Sequence, residues 1–471
     1  MQPDQISAAD GLPKPRRFIA IAAISAGTAL TIIDGGVATV ALPTIARDLN
    51  VGSSAVVTVV TVYQLILAMA LLPFSGLGDR IGLKRMYQYG QLIFTIATIL
   101  CFFAKSLPFL LVVRAAQALG AAAALSVSSA LIRSIYPAKQ LGRGLGINSV
   151  VVSSSAALAP TIGGLVLAIA PWPWVFASAV PFAIASLVLG RALPEPRKHD
   201  QPFDVLGAVM CAAMIGLIIG GAESAVHGDS PIVSAAIVLT GVVIGWFFVK
   251  REQGEAKPIL PIDLLARPVL ALSAIGAYTA FIAQMTLLLS TPFRLTHAYG
   301  FSAAEVGAAI APWPLANMFV APLSGWLSDR YPAGLLGGIG MGISICALLL
   351  IAFMPVDPSY FDIAWRMALC GSGFGMFMAP NARLIIGSAP RERAAAAGGL
   401  VSTVRLVGQT TGATVVAALL AVGVGAGMTP PLVAAGLALV AGLCSLSRLR
   451  PSIRNPPTEE TQDVQPASQA R

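Results

Sequence analysis

Fourteen apolar runs recur along the chain, at roughly 18–43, 54–76, 86–104, 107–131, 144–169, 172–192, 205–226, 231–249, 268–292, 302–326, 333–354, 362–388, 396–422 and 430–447. Each is near or above the roughly 20 residues that a helix needs to cross a bilayer. Hydrocarbon offers the backbone no water, so a crossing segment must satisfy its own amides, and runs of this length read as helices. The composition fits: 56% of residues are hydrophobic and 11% charged, against about 25% charged in soluble domains. A soluble protein with one apolar core is excluded. The expectation is an all-α membrane protein with 14 transmembrane helices.

Lysine and arginine orient the spans. With the N-terminus inside, the inner segments hold Lys14, Arg16 and Arg17, then Arg80, Lys84 and Arg85, and later Arg133, Lys139, Arg143, Arg191, Arg197 and Lys198. Lys250, Arg251, Lys257, Arg267, Arg330, Arg391, Arg393 and a C-terminal cluster from Arg448 continue the series. The outer loops hold only Arg47, Lys105 and Arg294. Both termini are therefore expected in the cytoplasm. The same distribution explains the net charge of +9 without nucleic acid: the basic residues lie in short loops, not in an aromatic-interleaved patch. The first run is too long for a signal-peptide core and reads as an uncleaved span.

Two longer polar stretches, 193–204 and 250–267, divide the spans as six, two and six. The expected organisation is a cytoplasmic N-terminus (1–17), a six-helix bundle (18–192), a linker with two extra helices (193–267), a second six-helix bundle (268–447) and a disordered cytoplasmic tail (448–471). The bundles repeat. Leu77-Gly78-Asp79-Arg80 and Leu327-Ser328-Asp329-Arg330 each follow a second span, 250 residues apart. Asp34 and Gln284 stand at the same offset, and Arg114 corresponds to Arg366. Such repeats build one class of transporter, with the substrate site between the halves near the midplane. Only the first half keeps an acid at the span-1 position.

That acid needs a reason. A carboxylate within an apolar run costs about 2.5–3.5 kcal/mol on insertion scales. Asp34 lies slightly outward of the middle of its span, and Arg114 lies in the outer half of span 4, which runs the other way. At about 1.5 Å per residue their depths agree within roughly one turn. Burial disfavours the carboxylate charge and a guanidinium favours it, so such a pair can be tuned to load and release a proton. A permanently paired structural couple is the alternative.

The stretch from Ser75 to Arg85 reads as a tight loop with an acid before its bases. Beyond anchoring, it suggests a charge clasp made and broken between helix ends. It resembles the cytoplasmic signature of the major facilitator superfamily, in Asp79, Arg80, Gly82 and Lys84, with Ser75 and Leu83 departing from it. Gly325, Leu327, Asp329 and Arg330 repeat its first part. Arg114-Ala115-Ala116-Gln117 resembles the superfamily's span-4 pattern, whose arginine is associated with proton coupling; Gly120, Ala124 and Ser128 there form a small-residue packing face. Pro160-Thr161-Ile162-Gly163-Gly164 resembles the span-5 motif of antiporters, with Ala159 in place of a glycine. Asp34 and Val40 to Pro43 resemble span 1 of the fourteen-span drug:proton antiporter branch, as do Trp172-Pro173-Trp174 and Phe203-Asp204.

The resemblance implies a major facilitator fold of two six-helix bundles plus two extra central helices. It implies a multi-pass protein of the plasma (bacterial inner) membrane that exports amphipathic small molecules or drugs against protons by alternating access. Asp34 and Arg114 would couple protons. Asp79, Arg80, Lys84, Asp329 and Arg330 would form the gating loops. Pro160, Gly163 and Gly164 would shape the antiporter helix. Tyr63, Gln64, Gln117, Gln284, Trp313, Arg366 and Arg405 are candidate cavity-lining residues. The partners expected are a small-molecule substrate, protons and the lipid bilayer; a monomer is expected. No cofactor is expected beyond the proton gradient as energy source.

The five cysteines show no paired spacing and the three histidines are far apart, so a metal centre or catalytic triad is not expected. An importer or uniporter of the same fold, and an exporter dedicated to one metabolite, stay open. A membrane receptor or enzyme is the weakest alternative.

Overall fold

The computed structural model describes residues 11–137, 141–195, 204–226, 228, 230–253, 265–328, 330–355, 357–388 and 394–449. Among them the chain is all-helical, with no strand. The helices are α1 (Lys14–Asp48), α2 (Ser53–Ile81), α3 (Leu83–Cys101), α4 (Leu107–Ile135), α5 (Leu141–Ile169), α6 (Pro173–Ala177), α7 (Val180–Leu189), α8 (Val205–Val226) and α9 (Pro231–Glu252). There follow α10 (Pro268–Tyr299), α11 (Ala303–Ile310), α12 (Pro312–Leu327), α13 (Ala333–Ala352), α14 (Tyr360–Gly387), α15 (Ala394–Ala421) and α16 (Thr429–Ser447).

Among the described residues, eleven helices are long and apolar enough to cross a membrane, counting α6–α7 and α11–α12 as one passage each. Two more, α3 and α14, carry more polar or charged positions and fall outside that group, and of α5 the stretch Ser154–Ile169 is apolar but shorter than a full crossing. Large apolar side chains face outward, as lipid as solvent requires: Ile232 is 81% exposed and Phe319 70%.

The stretch 75–85 is not a loop. Helix α2 runs on through Asp79 and Arg80 to Ile81, because buried Gly78 lets it lie close against Val127 of α4. Only Gly82, at φ 107°, breaks the helix, in a conformation that a side chain would resist.

The repeat is visible in helix crossings. Gly90 of α3 and Gly120 of α4 bring two backbones together, so that a Cβ on Gly120 would stand 2.6 Å from the Gly90 carbonyl oxygen. Gly340 of α13 and Gly373 of α14 make the same crossing in the second half, at 2.7 Å from Gly340 to the Gly373 oxygen. Small residues replace hydrophobic driving force where helices meet in lipid.

The core is divided unevenly. At the end far from the termini, Val37, Leu42, Val56 and Phe176 share one apolar cluster with Leu289, Phe293 and Val416 of the second half. Towards the terminal end the halves keep separate clusters, one around Ile24, Tyr87 and Leu131, the other around Leu270, Ile385 and Leu400. Helix α8 packs on α2 and α15, beside the seam between the halves, with α9 against it.

Arg448 belongs to the bundle rather than to a tail. Buried at the end of α16, it donates to Ser273 Oγ and Asn381 Oδ1, both at 2.7 Å, and to Ser445 Oγ at 2.6 Å. The charge run from Arg448 hid this, because such runs usually mark solvated ends. Residues 450–471 lie outside the described residues.

Candidate functional site

Asp34, Arg114 and Gln117 meet in the first half, each fully buried. Asp34 stands on α1, Arg114 and Gln117 stand one turn apart on α4, and α2 packs against both helices. Arg114 Nη1 donates to Asp34 Oδ2 at 2.5 Å and to Gln117 Oε1 at 2.6 Å. Gln117 Nε2 donates to Asp34 Oδ1 at 2.8 Å and to Thr98 Oγ1 at 2.9 Å. Arg114 Nε reaches the Val59 carbonyl at 3.4 Å. The guanidinium lies over the Tyr63 ring, 4.3 Å from its centroid, and 5.3 Å from that of Phe176. A charge pair buried this deeply persists only when its remaining valences are bonded, and here Gln117 and two aromatic faces supply that.

The pair adjoins a cavity of about 390 Å³ between the halves. Arg114 and Tyr63 line it, while Asp34 stands behind them. Gln64, Gln284, Trp313 and Arg405 also line it. Gln117 and Arg366 do not, and both need correcting. Gln117 is held behind Arg114 by Asp34 and Thr98. Arg366 is captured one turn away by its own helix end: its Nη1 donates to Asp362 Oδ1 at 3.0 Å and to the Asp362 carbonyl at 2.6 Å. The pseudo-equivalent of Arg114 therefore serves the start of α14, where Ser359 and Asp362 form a capping box.

Pro160, Gly163 and Gly164 fall where α5 meets both α1 and the other half. A Cβ on Gly163 would stand 3.1 Å from Val37 Cα, and one on Gly164 would stand 2.7 Å from the Ala303 carbonyl oxygen. Gly307 of α11 lies against the Pro160 carbonyl. The motif is thus a backbone-to-backbone contact between halves, at the end far from the termini.

The sequence profile of the Major Facilitator Superfamily matches residues 24–413. The chain belongs to that superfamily. Among its relatives, the uncharacterized transporter YebQ of Escherichia coli is 43% identical over 88% of this chain and 91% of that protein. The riboflavin transporter RibZ of Clostridioides difficile is 27% identical over 83% and 85%. The multidrug resistance protein Stp of Mycobacterium tuberculosis is 29% identical over 88% and 78%. A solved bacterial homologue of the human lysosomal transporter Spinster, inward-facing and unoccupied, superposes with a TM-score of 0.67 at 19% identity, over 93% of this chain and 98% of that one. The protein is a multi-pass membrane transporter, not an enzyme, of the kind found in bacterial inner membranes.

In this superfamily member the signature residues lie at exposed helix ends. Asp79 and Arg80 are exposed on the last turn of α2. Lys84 Nζ donates to the Arg191 carbonyl at 3.0 Å and pairs with Glu195 at 3.8 Å, tying α3 to the end of α7. Arg330 lies over the Trp326 ring at 4.4 Å. Asp329 lies outside the described residues.

Proposed function

We propose that this transporter couples inward proton movement to the export of amphipathic small molecules across the plasma membrane by alternating access. The observation that carries the reading is the buried Asp34–Arg114 pair, held by Gln117 and the Val59 carbonyl yet touching the central cavity through Arg114 and Tyr63. A proton placed on Asp34 removes one charge of the pair and leaves the guanidinium facing the cavity. Substrate and proton then compete through one side chain, which is the logic of exchange. The name of Stp supports a drug substrate.

Helices α3, α5 and α14 complete fourteen spans in this reading, with both termini cytoplasmic and the protein acting as a monomer. In that orientation the shared core closes the outer side, and the separate clusters mark the side that opens inward. Asp79 and Asp329, with the adjacent bases, clasp the inner ends when the halves rock.

A second reading, dedicated transport of one metabolite, is favoured by the name of RibZ. A susceptibility panel in an efflux-deficient bacterium separates the two, with Asp34→Asn as control. Protection against several unrelated amphipathic compounds supports the first reading. Protection against one compound supports the second, and protection against none removes export.

A further inference from the structure

Arg405 is the one cation of the cavity lining, among the described residues, without an acid to answer it. The lining holds two arginines and no aspartate or glutamate. Arg114 is neutralised by Asp34. No hydrogen bond, ion pair or ring contact joins Arg405 to another described residue, although it sits mid-helix in α15 with its surface half-buried. Its position is built. Gly408 and Gly412, four apart, seat α15 on α10: a Cβ on Gly408 would stand 2.9 Å from the Tyr278 carbonyl oxygen, and one on Gly412 2.8 Å from that of Ile282. With that face fixed, Arg405 and Gln409, one turn apart, turn into the cavity.

Other unmet polar atoms face the same space. The Oε1 atoms of Gln64 and Gln284 and the hydroxyl of Tyr63, a residue 4% exposed, have no hydrogen-bond partner. All three residues line the cavity. Native interiors leave few such groups unpaired, so a cluster of them around a void marks where a ligand bonds. Around them the wall is aromatic and methionine-rich, with Trp313, Phe374, Phe281, Met285 and Met378. Such walls accept flat apolar bodies of varied outline.

Resting on the reading of this cavity as the substrate chamber, we infer that the transporter takes amphipathic organic anions, and that Arg405 receives their acidic group. A guanidinium stays protonated and presents a planar fork of donors, which suits a carboxylate, sulfonate or phosphate. The aromatic body of the same molecule lies against the Trp313 side. Gln64, Gln284 and Gln409 bond its remaining polar edges.

The test is binding to the purified full-length protein by calorimetry, with no gradient imposed. Three probes share one ring system: 2-naphthoate, 2-naphthamide and 2-naphthylmethylammonium. The wild type is expected to bind naphthoate at least about tenfold tighter than the amide, and the ammonium probe most weakly, because a desolvated charge-assisted bond is stronger than a neutral one. Arg405→Gln is expected to erase the preference for the anion, and Arg405→Lys to keep part of it. Without ligand, Arg405→Gln should melt no lower than the wild type, since the guanidinium it removes has no partner. The assignment is overturned if naphthoate fails to bind or binds no better than the amide. It is equally overturned if the preference survives Arg405→Gln, or if that variant melts well below the wild type. Repeating the titration in gluconate and in chloride separates organic from inorganic anions: preference seen only without chloride would assign Arg405 to chloride instead. None of these outcomes depends on proton coupling or export direction, so they fail separately from the export reading.

Discussion

Gln117 Nε2 stands 2.8 Å from Asp34 Oδ1, both side chains fully buried behind Arg114. The same amide accepts from Arg114 and donates to Thr98, so one neutral side chain bonds both members of the ion pair.

Gln117→Leu preserves much of the volume and deletes the bonds to Asp34, Arg114 and Thr98. A buried polar group left unpaired costs about 1–3 kcal/mol. The variant is therefore expected to melt below the wild type in detergent and to lose pH-driven transport more than substrate binding. An unchanged melting temperature would show that the amide is a bystander.

Gly164→Ala probes the contact between halves. Its Cβ would stand 2.7 Å from the Ala303 carbonyl oxygen, and backbone cannot swing aside as a side chain can. The expected result is a weakened closed contact at the end far from the termini and slower transport, with helix content by circular dichroism unchanged. Wild-type transport in Gly164→Ala would mean that the halves do not need this approach.

The two pseudo-equivalent arginines are expected to behave unlike each other. Arg366, itself buried, pairs one turn away with Asp362, whose carboxylate is more than a third exposed to solvent at the helix start. Such pairs contribute little, so Arg366→Gln should leave transport within about twofold of the wild type. Arg114→Gln leaves Asp34 buried and uncompensated and should lower transport by tenfold or more, because an orphaned buried charge is strongly unfavourable. Equal losses in uptake assays of the two variants would contradict the asymmetry.

Asp204 gives a pH prediction outside the membrane spans. Its Oδ2 accepts from Arg251 Nη1 at 2.5 Å, and that bond, with the Gly207 amide, holds its carboxyl below the usual carboxylate range. A carboxyl lowered in the folded state stabilises it fully above the unfolded value, about 3.9, and progressively less as pH falls towards the folded value. Asp204→Asn should therefore melt slightly below the wild type near neutrality, and the gap should close below about pH 4. A gap constant across that range would exclude the ion pair as its cause.

The fold and the Asp34–Arg114 pair were legible because charge inside an apolar run is rare and helix rise converts position to depth. Gln117 was harder. An amide three residues from Arg114 suits a cavity wall and an ion-pair bridge equally, and only the packing of α3, which brings Thr98, decides. Repeat symmetry misled at Arg366, although Asp362 at i−4 was a visible competitor. Glycines in 75–85 suggested a loop, yet glycine also permits close helix packing, and Gly78 does that while Gly82 alone turns the chain. Arg405 and Arg448 show the remaining limit: sequence places an arginine near a span but not its partners, and one proves fully bonded while the other faces a void.

The most direct test of proton coupling uses proteoliposomes, an imposed pH gradient and a compound to which the wild type confers resistance. The wild type should accumulate the compound against its own gradient. Asp34→Asn should equilibrate it downhill and accumulate none. Uphill accumulation by Asp34→Asn at the wild-type level would contradict the assignment of Asp34 as the proton carrier.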